Sequence, residues 1–214
     1  MKKSILILIT LLFSSIGHAN FYKVILYMED GTKKTGLAEL VKSEDSKITF
    51  KTDESAKKEK IASVEVKKIE YFDEEECITT VEALYATTAN ILTGKFSKSK
   101  KKLWFNVIYN KDVKIGVIRD AGTIRPNAGG TSTIVSSSSS SYFFGNKNSD
   151  ALVFGYFTTA NTVGAIGTES LLRKMSREAF SDCPKLIEAI AKEDFKLQTL
   201  LEQLVTIFEK VKCK

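Results

Sequence analysis

The chain has 214 residues, of which 32 are basic and 26 acidic, so its formal net charge is +6. Its one histidine, His18, lies within the first 19 residues, and the rest of the chain contains none. Beyond residue 19 this composition excludes Ser-His-Asp and Cys-His catalysis, histidine-ligated metal sites and imidazole-based pH switches.

The N-terminus has the three parts of a secretory signal peptide. Lysines occupy positions 2–3, residues 5–13 form a short apolar run, and the small residues Gly17 and Ala19 follow. The apolar run is shorter than the about 20 residues that a membrane-spanning helix needs. The sequence therefore predicts a cleavable signal peptide at residues 1–19, export to the periplasm or the medium, and no transmembrane span after cleavage. An uncleaved N-terminal anchor is the alternative.

Residues 20–158 are predicted to form a β-rich region. Asp30-Gly31 is a strong turn signal between two of the apolar runs. The predicted strands occupy residues 21–28, 35–41, 47–51, 64–72, 103–109, 113–118 and 151–157. The strands at 103–109 and 113–118 are predicted to form a hairpin, with Trp104 in or beside the core. Residues 78–92 fit a helical face as well as a strand, and their Thr and Ile content favours the strand.

A lysine-rich loop precedes the tryptophan-bearing hairpin. Its candidate binding residues are Lys98, Lys100, Lys101 and Lys102. A functional interpretation is contact with an anionic surface, such as lipid headgroups or an acidic polysaccharide. The alternative, which the sequence favours, is a solvated turn.

Residues 121–150 are predicted to form a long flexible loop. They contain Gly129-Gly130 and an unbroken serine tract at 136–141, a composition that buries too little apolar surface to order a chain. Tyr142, Phe143 and Phe144 stand out within it. They are either a binding tip or, as we favour, a group that pins the loop to the sheet.

Residues 159–214 are predicted to form a helical region. The first helix carries Leu171, Leu172 and Met175 on one face. Asp182 and Pro184 indicate the start of the second helix, with Asp182 as its cap. Leucines at helical spacing from residue 197 onward predict a third helix.

Three cysteines remain in an exported chain, so two of them are expected to pair. Spacing alone does not choose among the three possible pairings. The two last helices should fold back on each other, which favours a Cys183–Cys213 disulfide and leaves Cys77 free and partly buried. Pairing of Cys77 with Cys183 would instead join the sheet to the helices.

The fold class predicted from these elements is α+β, with an N-terminal antiparallel curled sheet and C-terminal helices packed on or beside it. No phosphate-loop, dinucleotide-binding or nucleophile-elbow motif occurs. Only four of the basic residues are arginine, and a nucleic-acid surface usually relies on clustered arginine. The sequence therefore predicts no cofactor, no metal and no nucleic-acid partner, and it favours a non-enzymatic role over an enzymatic one.

Two segments carry a resemblance to a protein group. The heptapeptide Phe180-Ser-Asp-Cys-Pro-Lys-Leu186 and the hairpin between Trp104 and Ile118 resemble segments of small exported proteins of unknown function from Gram-negative bacteria. The resemblance covers about a fifth of the chain and implies a signal peptide, a β-sheet and a helical C-terminus. It implies no activity, and the serine-rich segment departs from the pattern of that group.

We therefore expect an exported, non-enzymatic binding or structural module of the cell envelope or secreted milieu. Its partner would be an envelope component or another exported protein. The alternative is a histidine-independent hydrolase that uses paired carboxylates, because such pairs are defined by proximity in space and leave no sequence motif.

Overall fold

A computed structural model describes residues 20–90, 93–120, 123–126, 132–136, 138–159, 162–163 and 168–213. The predicted signal peptide at 1–19 lies outside the described residues. The described part of the chain is mostly antiparallel β-sheet followed by three helices, which confirms the α+β class. Each of its helices is too short or too polar to cross a membrane.

The strands follow the apolar runs of the sequence, and they include the segment that was ambiguous between helix and strand. In chain order they are β1 (Phe21–Met28), β2 (Lys33–Glu39), β3 (Lys47–Lys51), β4 (Glu59–Ala62), β5 (Val66–Asp73), β6 (Glu76–Ala89), β7 (Phe96–Lys98), β8 (Leu103–Asn110), β9 (Val113–Asp120), β10 (Thr123–Pro126), β11 (Ser132–Ser136), β12 (Ser139–Asn146), β13 (Ala151–Thr159) and β14 (Thr162–Val163). The strand prediction for 78–92 is confirmed as far as Ala89, and residues 91–92 lie outside the described part.

Within the described residues, one sheet has the strand order β14-β13-β12-β9-β8-β6-β5-β1-β2-β3-β4, with β7 also on β6 and β10–β11 as a separate pair. Neighbours in this sheet are antiparallel. One further pairing is parallel and joins β13 to β6, with Ala151 opposite Tyr85. Strands β6, β8, β9, β12 and β13 therefore form a closed ring of pairings, and β6 also continues into the N-terminal strands.

Side-chain alternation divides the buried residues into three clusters. The first lies on one face of β1–β6 and includes Trp104 of the predicted hairpin. The second fills the ring, with at least one residue from four of its five strands: Leu84, Ala86, Phe105, Phe143 and Leu152. The third joins β9, β12 and β13 to the helices. Each cluster is formed by one face of its strands. Strands β6 and β12 therefore contribute residues to two clusters, one from each face.

The turn between β1 and β2 has the conformation that Asp30-Gly31 predicts. Gly31 has a φ of 86°, which glycine adopts without a steric penalty. The Asp30 carboxylate accepts hydrogen bonds from the backbone N–H and the hydroxyl of Thr32, at 2.9 and 2.7 Å. These hydrogen bonds lower the pKa of Asp30 and fix the register of the first hairpin.

Three helices follow the sheet: α1 (Thr168–Ala179), α2 (Pro184–Lys192) and α3 (Leu200–Lys210). Their apolar faces contribute Leu172, Leu186, Leu204 and Phe208 to the third cluster. Pro184 occupies the first turn of α2, as predicted, but the residue before it, Cys183, is the cap. Asp182 instead accepts hydrogen bonds from the Asn146 side chain, so its predicted capping role is wrong.

The predicted disulfide is confirmed. Cys183 and Cys213 are bonded, with their Cα atoms 5.5 Å apart, and the bridge joins the start of α2 to the residues that follow α3. Cys77 is free, as predicted. It is exposed and not partly buried, because it lies at the start of β6 beside the acidic turn at residues 73–76.

The flexible loop predicted over 121–150 is wrong for much of its length. Ser139–Asn146 form β12, which pairs with β9 on one side and β13 on the other. Three serines of the tract therefore lie in an interior strand, where backbone hydrogen bonds on both sides hold them. The sheet also continues past the predicted boundary at residue 158, to Val163.

Candidate functional site

A cleft of about 640 Å³ opens at one end of the strand ring, beside the first strands of the sheet. Its charged lining consists of Lys67, Lys68, Lys102, Lys114, Lys147, Glu29, Glu82 and Asp150. We call it the lysine cleft. Five lysines against three carboxylates give this lining an excess of positive charge.

Strand alternation places Glu82 and Lys114 at the base of the cleft. Glu82 is on the same face of β6 as Leu84, a residue of the ring interior. Lys114 lies between Val113 and Ile115, which face the helices, so its side chain is directed to the opposite side of β9. The two charged groups therefore meet at the end of the apolar ring interior.

The pair at this position is buried. Lys114 Nζ lies 2.5 Å from Glu82 Oε2, and the two side chains are only 6% and 11% exposed. A single buried charge is costly, and a paired one is tolerated because each ion replaces part of the other's hydration. Lys114 and Glu82 consequently hold each other in place at the cleft base.

Two of the carboxylates at the rim are also paired with lysine. Lys102 Nζ lies 2.6 Å from Glu29, and Lys98 Nζ lies 2.9 Å from Asp150. The ammonium of Lys98 also sits 4.3 Å from the centre of the Tyr85 ring, a cation–π contact. Each of the three carboxylates that line the cleft is therefore matched to a lysine.

A third lysine of the rim is held by a neighbouring cluster. Lys68 lies 2.6 Å from Glu70, and Glu70 also accepts a hydrogen bond from the Tyr27 hydroxyl at 2.7 Å. This hydrogen bond raises the pKa of Tyr27. Burial opposes ionisation of Glu70, but its hydrogen bonds from Lys68 and Tyr27 outweigh that effect and lower its pKa. The cluster fixes the position of Lys68.

The remaining two lysines carry the surplus charge. No ion pair found in the described part of the chain involves Lys67 or Lys147. Lys67 is exposed on β5, and Lys147 is exposed in the turn between β12 and β13, where its backbone N–H binds the Asp112 carbonyl. Both ammonium groups are available to a ligand.

The structure separates the four predicted loop lysines. Lys102 lines the cleft and Lys98 contacts one of its carboxylates, Asp150. Lys100 and Lys101 are exposed and do not contribute to the lining. The loop thus supplies one lysine to the cleft itself and places a second at its border.

The structure bears on the two interpretations of Tyr142, Phe143 and Phe144, a binding tip and a group that pins the segment to the sheet. All three lie in β12, and Phe143 and Phe144 are buried in two different clusters. Tyr142 is half-buried and stacks on Tyr156 of the next strand, with ring centres 4.5 Å apart. The interpretation that we favour, in which these aromatic residues attach the segment to the sheet, agrees with the structure, and the burial of Phe143 and Phe144 argues against a binding tip.

Sequence reasoning missed Glu82 and Lys114, the two buried charged residues of the cleft. A charged residue in a strand normally faces solvent, so the sequence alone assigns both residues to the exposed side of their strands. The alternation of side chains along β6 could have identified Glu82, because it places Glu82 on the same face as Leu84 and Ala86, which are both apolar. A charge at the end of such an apolar face indicates the boundary between a core and an opening.

No family model matches the chain, and no curated protein or solved structure matches it. The resemblance to small exported proteins therefore stays a prediction.

Proposed function

We propose that the chain is an exported, non-enzymatic binding module of the cell envelope or secreted milieu, and that the lysine cleft binds its anionic ligand. The predicted signal peptide supports export. The Cys183–Cys213 disulfide also supports it, because disulfides persist in oxidising compartments and are rare in the cytosol.

The observation that carries the binding proposal is the surplus charge in a concave surface. Lys67 and Lys147 have no carboxylate partner in the described residues and line the same cleft as the buried pair. Concave charged surfaces concentrate ligands of opposite sign. The volume, about 640 Å³, is within the usual range of small-molecule sites.

The pairing of the carboxylates favours binding over hydrolysis. A carboxylate-based glycoside hydrolase needs two carboxyl groups that both face the substrate. Glu29, Glu82 and Asp150 each form an ion pair with a lysine, so each of these carboxylates already has a partner within the protein. The cleft is therefore better suited to the recognition of an anion than to carboxylate-based hydrolysis.

Export is tested by the mass of the mature protein. The full chain is expressed in a Gram-negative host, and the protein is recovered from the periplasmic fraction. We expect a mature N-terminus at Asn20. Recovery of the intact chain from the cytoplasm would contradict export.

Anion binding is tested by calorimetric titration with tripolyphosphate at low salt. The double variant Lys67→Gln/Lys147→Gln removes the two unpaired lysines of the cleft, and Lys57→Gln/Lys60→Gln removes two exposed lysines elsewhere. We expect at least about a fivefold loss of affinity from the first variant and none from the second, because only the first changes the cleft.

A third variant, Lys100→Gln/Lys101→Gln, tests the loop that the sequence indicated. Loss of binding in this variant alone would move the site to the loop. Equal losses in all three would show that net charge, and not the cleft, attracts the anion. An absence of binding in the unaltered protein would contradict the proposed function.

A further inference from the structure

The buried pair offers a hydrogen-bond donor and an acceptor side by side. An ammonium has three N–H groups, and within the described residues Lys114 uses one of them, toward Glu82 Oε2. The other carboxylate oxygen, Oε1, accepts no hydrogen bond from those residues. The Glu82 side chain lines the cleft, so this oxygen is a candidate acceptor for a ligand there.

A hydroxyl group is the ligand group that fits this arrangement. It accepts a hydrogen bond from the Lys114 ammonium and donates its own hydrogen to Glu82. A phosphate or carboxylate group has no such hydrogen when ionised, and the Glu82 carboxylate repels it. The base of the cleft therefore favours a hydroxyl, whereas the rim favours a negative charge.

We infer that the lysine cleft recognises an acidic sugar, with a hydroxyl on the Lys114–Glu82 pair and the acid group on Lys67 and Lys147. This inference rests on the proposed function and names its ligand class. An acidic sugar carries hydroxyl and acid groups on one ring, so a single residue of an acidic polysaccharide presents both kinds of group to the residues that line the cleft.

The recessed position of the pair argues against a lipid surface as the ligand. The Lys114 side chain is 6% exposed, and a flat layer of headgroups would contact the exposed lysines of the rim without reaching it. An isolated sugar residue can enter the cleft and reach its base. The geometry selects the soluble acidic sugar.

The test compares three multivalent anions, of which trigalacturonate and tricarballylate have the same number of carboxylates, and one vesicle preparation on the unaltered protein. Trigalacturonate carries hydroxyls, whereas tricarballylate and tripolyphosphate do not, and neutral maltotriose controls for sugar binding without charge. The vesicles contain phosphatidylglycerol. We expect trigalacturonate to bind at least about tenfold more tightly than the other two anions, because hydrogen bonds to charged groups contribute that much or more.

The variant Glu82→Gln supplies a second readout. It preserves the size of the side chain and removes the charge that accepts the hydroxyl hydrogen, so the preference for trigalacturonate should fall to less than about threefold. Binding of tripolyphosphate should strengthen, because the Glu82 carboxylate no longer repels it and Lys67 and Lys147 are unchanged. If this variant does not fold, the comparison of the three anions on the unaltered protein decides the question.

The outcomes separate the inference from the proposed function. Equal affinity for the three anions would overturn the acidic-sugar inference and leave the anion-binding module intact. Tighter binding to the vesicles than to trigalacturonate would overturn it in favour of a lipid surface. Failure of every anion to bind would remove both proposals.

Discussion

Replacing Lys114 with methionine removes the ammonium from the buried pair and leaves the Glu82 carboxylate without its partner. The two side chains are 6% and 11% exposed, so water can restore only part of the lost interaction. Breaking a buried ion pair from one side costs about 3–5 kcal/mol. We expect a loss of about 3 kcal/mol in the free energy of unfolding, the lower end, because Glu82 borders the open cleft.

The assay is equilibrium unfolding in urea at neutral pH, on the two single variants Lys114→Met and Glu82→Gln and on the double variant. The double variant leaves no unpaired charge, so it should regain about 2 kcal/mol relative to Lys114→Met. The matched control is Lys111→Met, which breaks an exposed ion pair with Glu209, and surface pairs contribute little. Single variants as stable as the control would refute the reasoning.

Three other predictions concern stability. Cys183→Ala/Cys213→Ala should lose about 3–4 kcal/mol in urea unfolding, since the disulfide closes a loop of sequence separation 30, whereas Cys77→Ala should unfold as the unaltered protein does. Gly155→Ala should lower the melting temperature, because its Cβ would lie 1.9 Å from the Phe144 ring, and an unchanged melting temperature would contradict that packing. Burial raises the pKa of Tyr71 above its ordinary value of about 10, so above that pH the tyrosine ionises more readily in the unfolded chain than in the folded one. The folded state should therefore lose stability as the pH rises beyond about 10, and Tyr71→Phe should reduce this loss in alkaline unfolding curves.

The parts of the fold that follow a clear period could be predicted from the sequence. The strands of the Trp104 hairpin, the Asp30-Gly31 turn and the leucine-rich last helix all combine an apolar pattern with a recognisable boundary. The disulfide could also be predicted, because two helices joined by a short connection bring Cys183 and Cys213 together.

Strand β12 could not be predicted from its composition. Serine has little preference for strands, and the order of this segment comes from backbone pairing with β9 and β13, which are distant in sequence. The aromatic residues Phe143 and Phe144 are buried only after that pairing has formed. Long-range pairing therefore determines the structure here, and local sequence does not.

The candidate site was predicted in part. Lys98 and Lys102 belong to the loop that the sequence singled out, and the structure places them at the cleft. Glu82 and Lys114 are 32 positions apart in the chain, and nothing local indicates that they meet. Their contact results from the order of the strands in the ring.

The account depends most on the claim that an anion occupies the lysine cleft. Amide chemical shifts of the isotope-labelled protein, followed by NMR during titration with the anion that binds most tightly in calorimetry, locate the ligand directly. We expect the largest changes at Leu84, Lys102, Asn148 and Ser149, which line the cleft. Changes confined to Lys100 and Lys101, or spread over the whole lysine-bearing surface, would contradict the account.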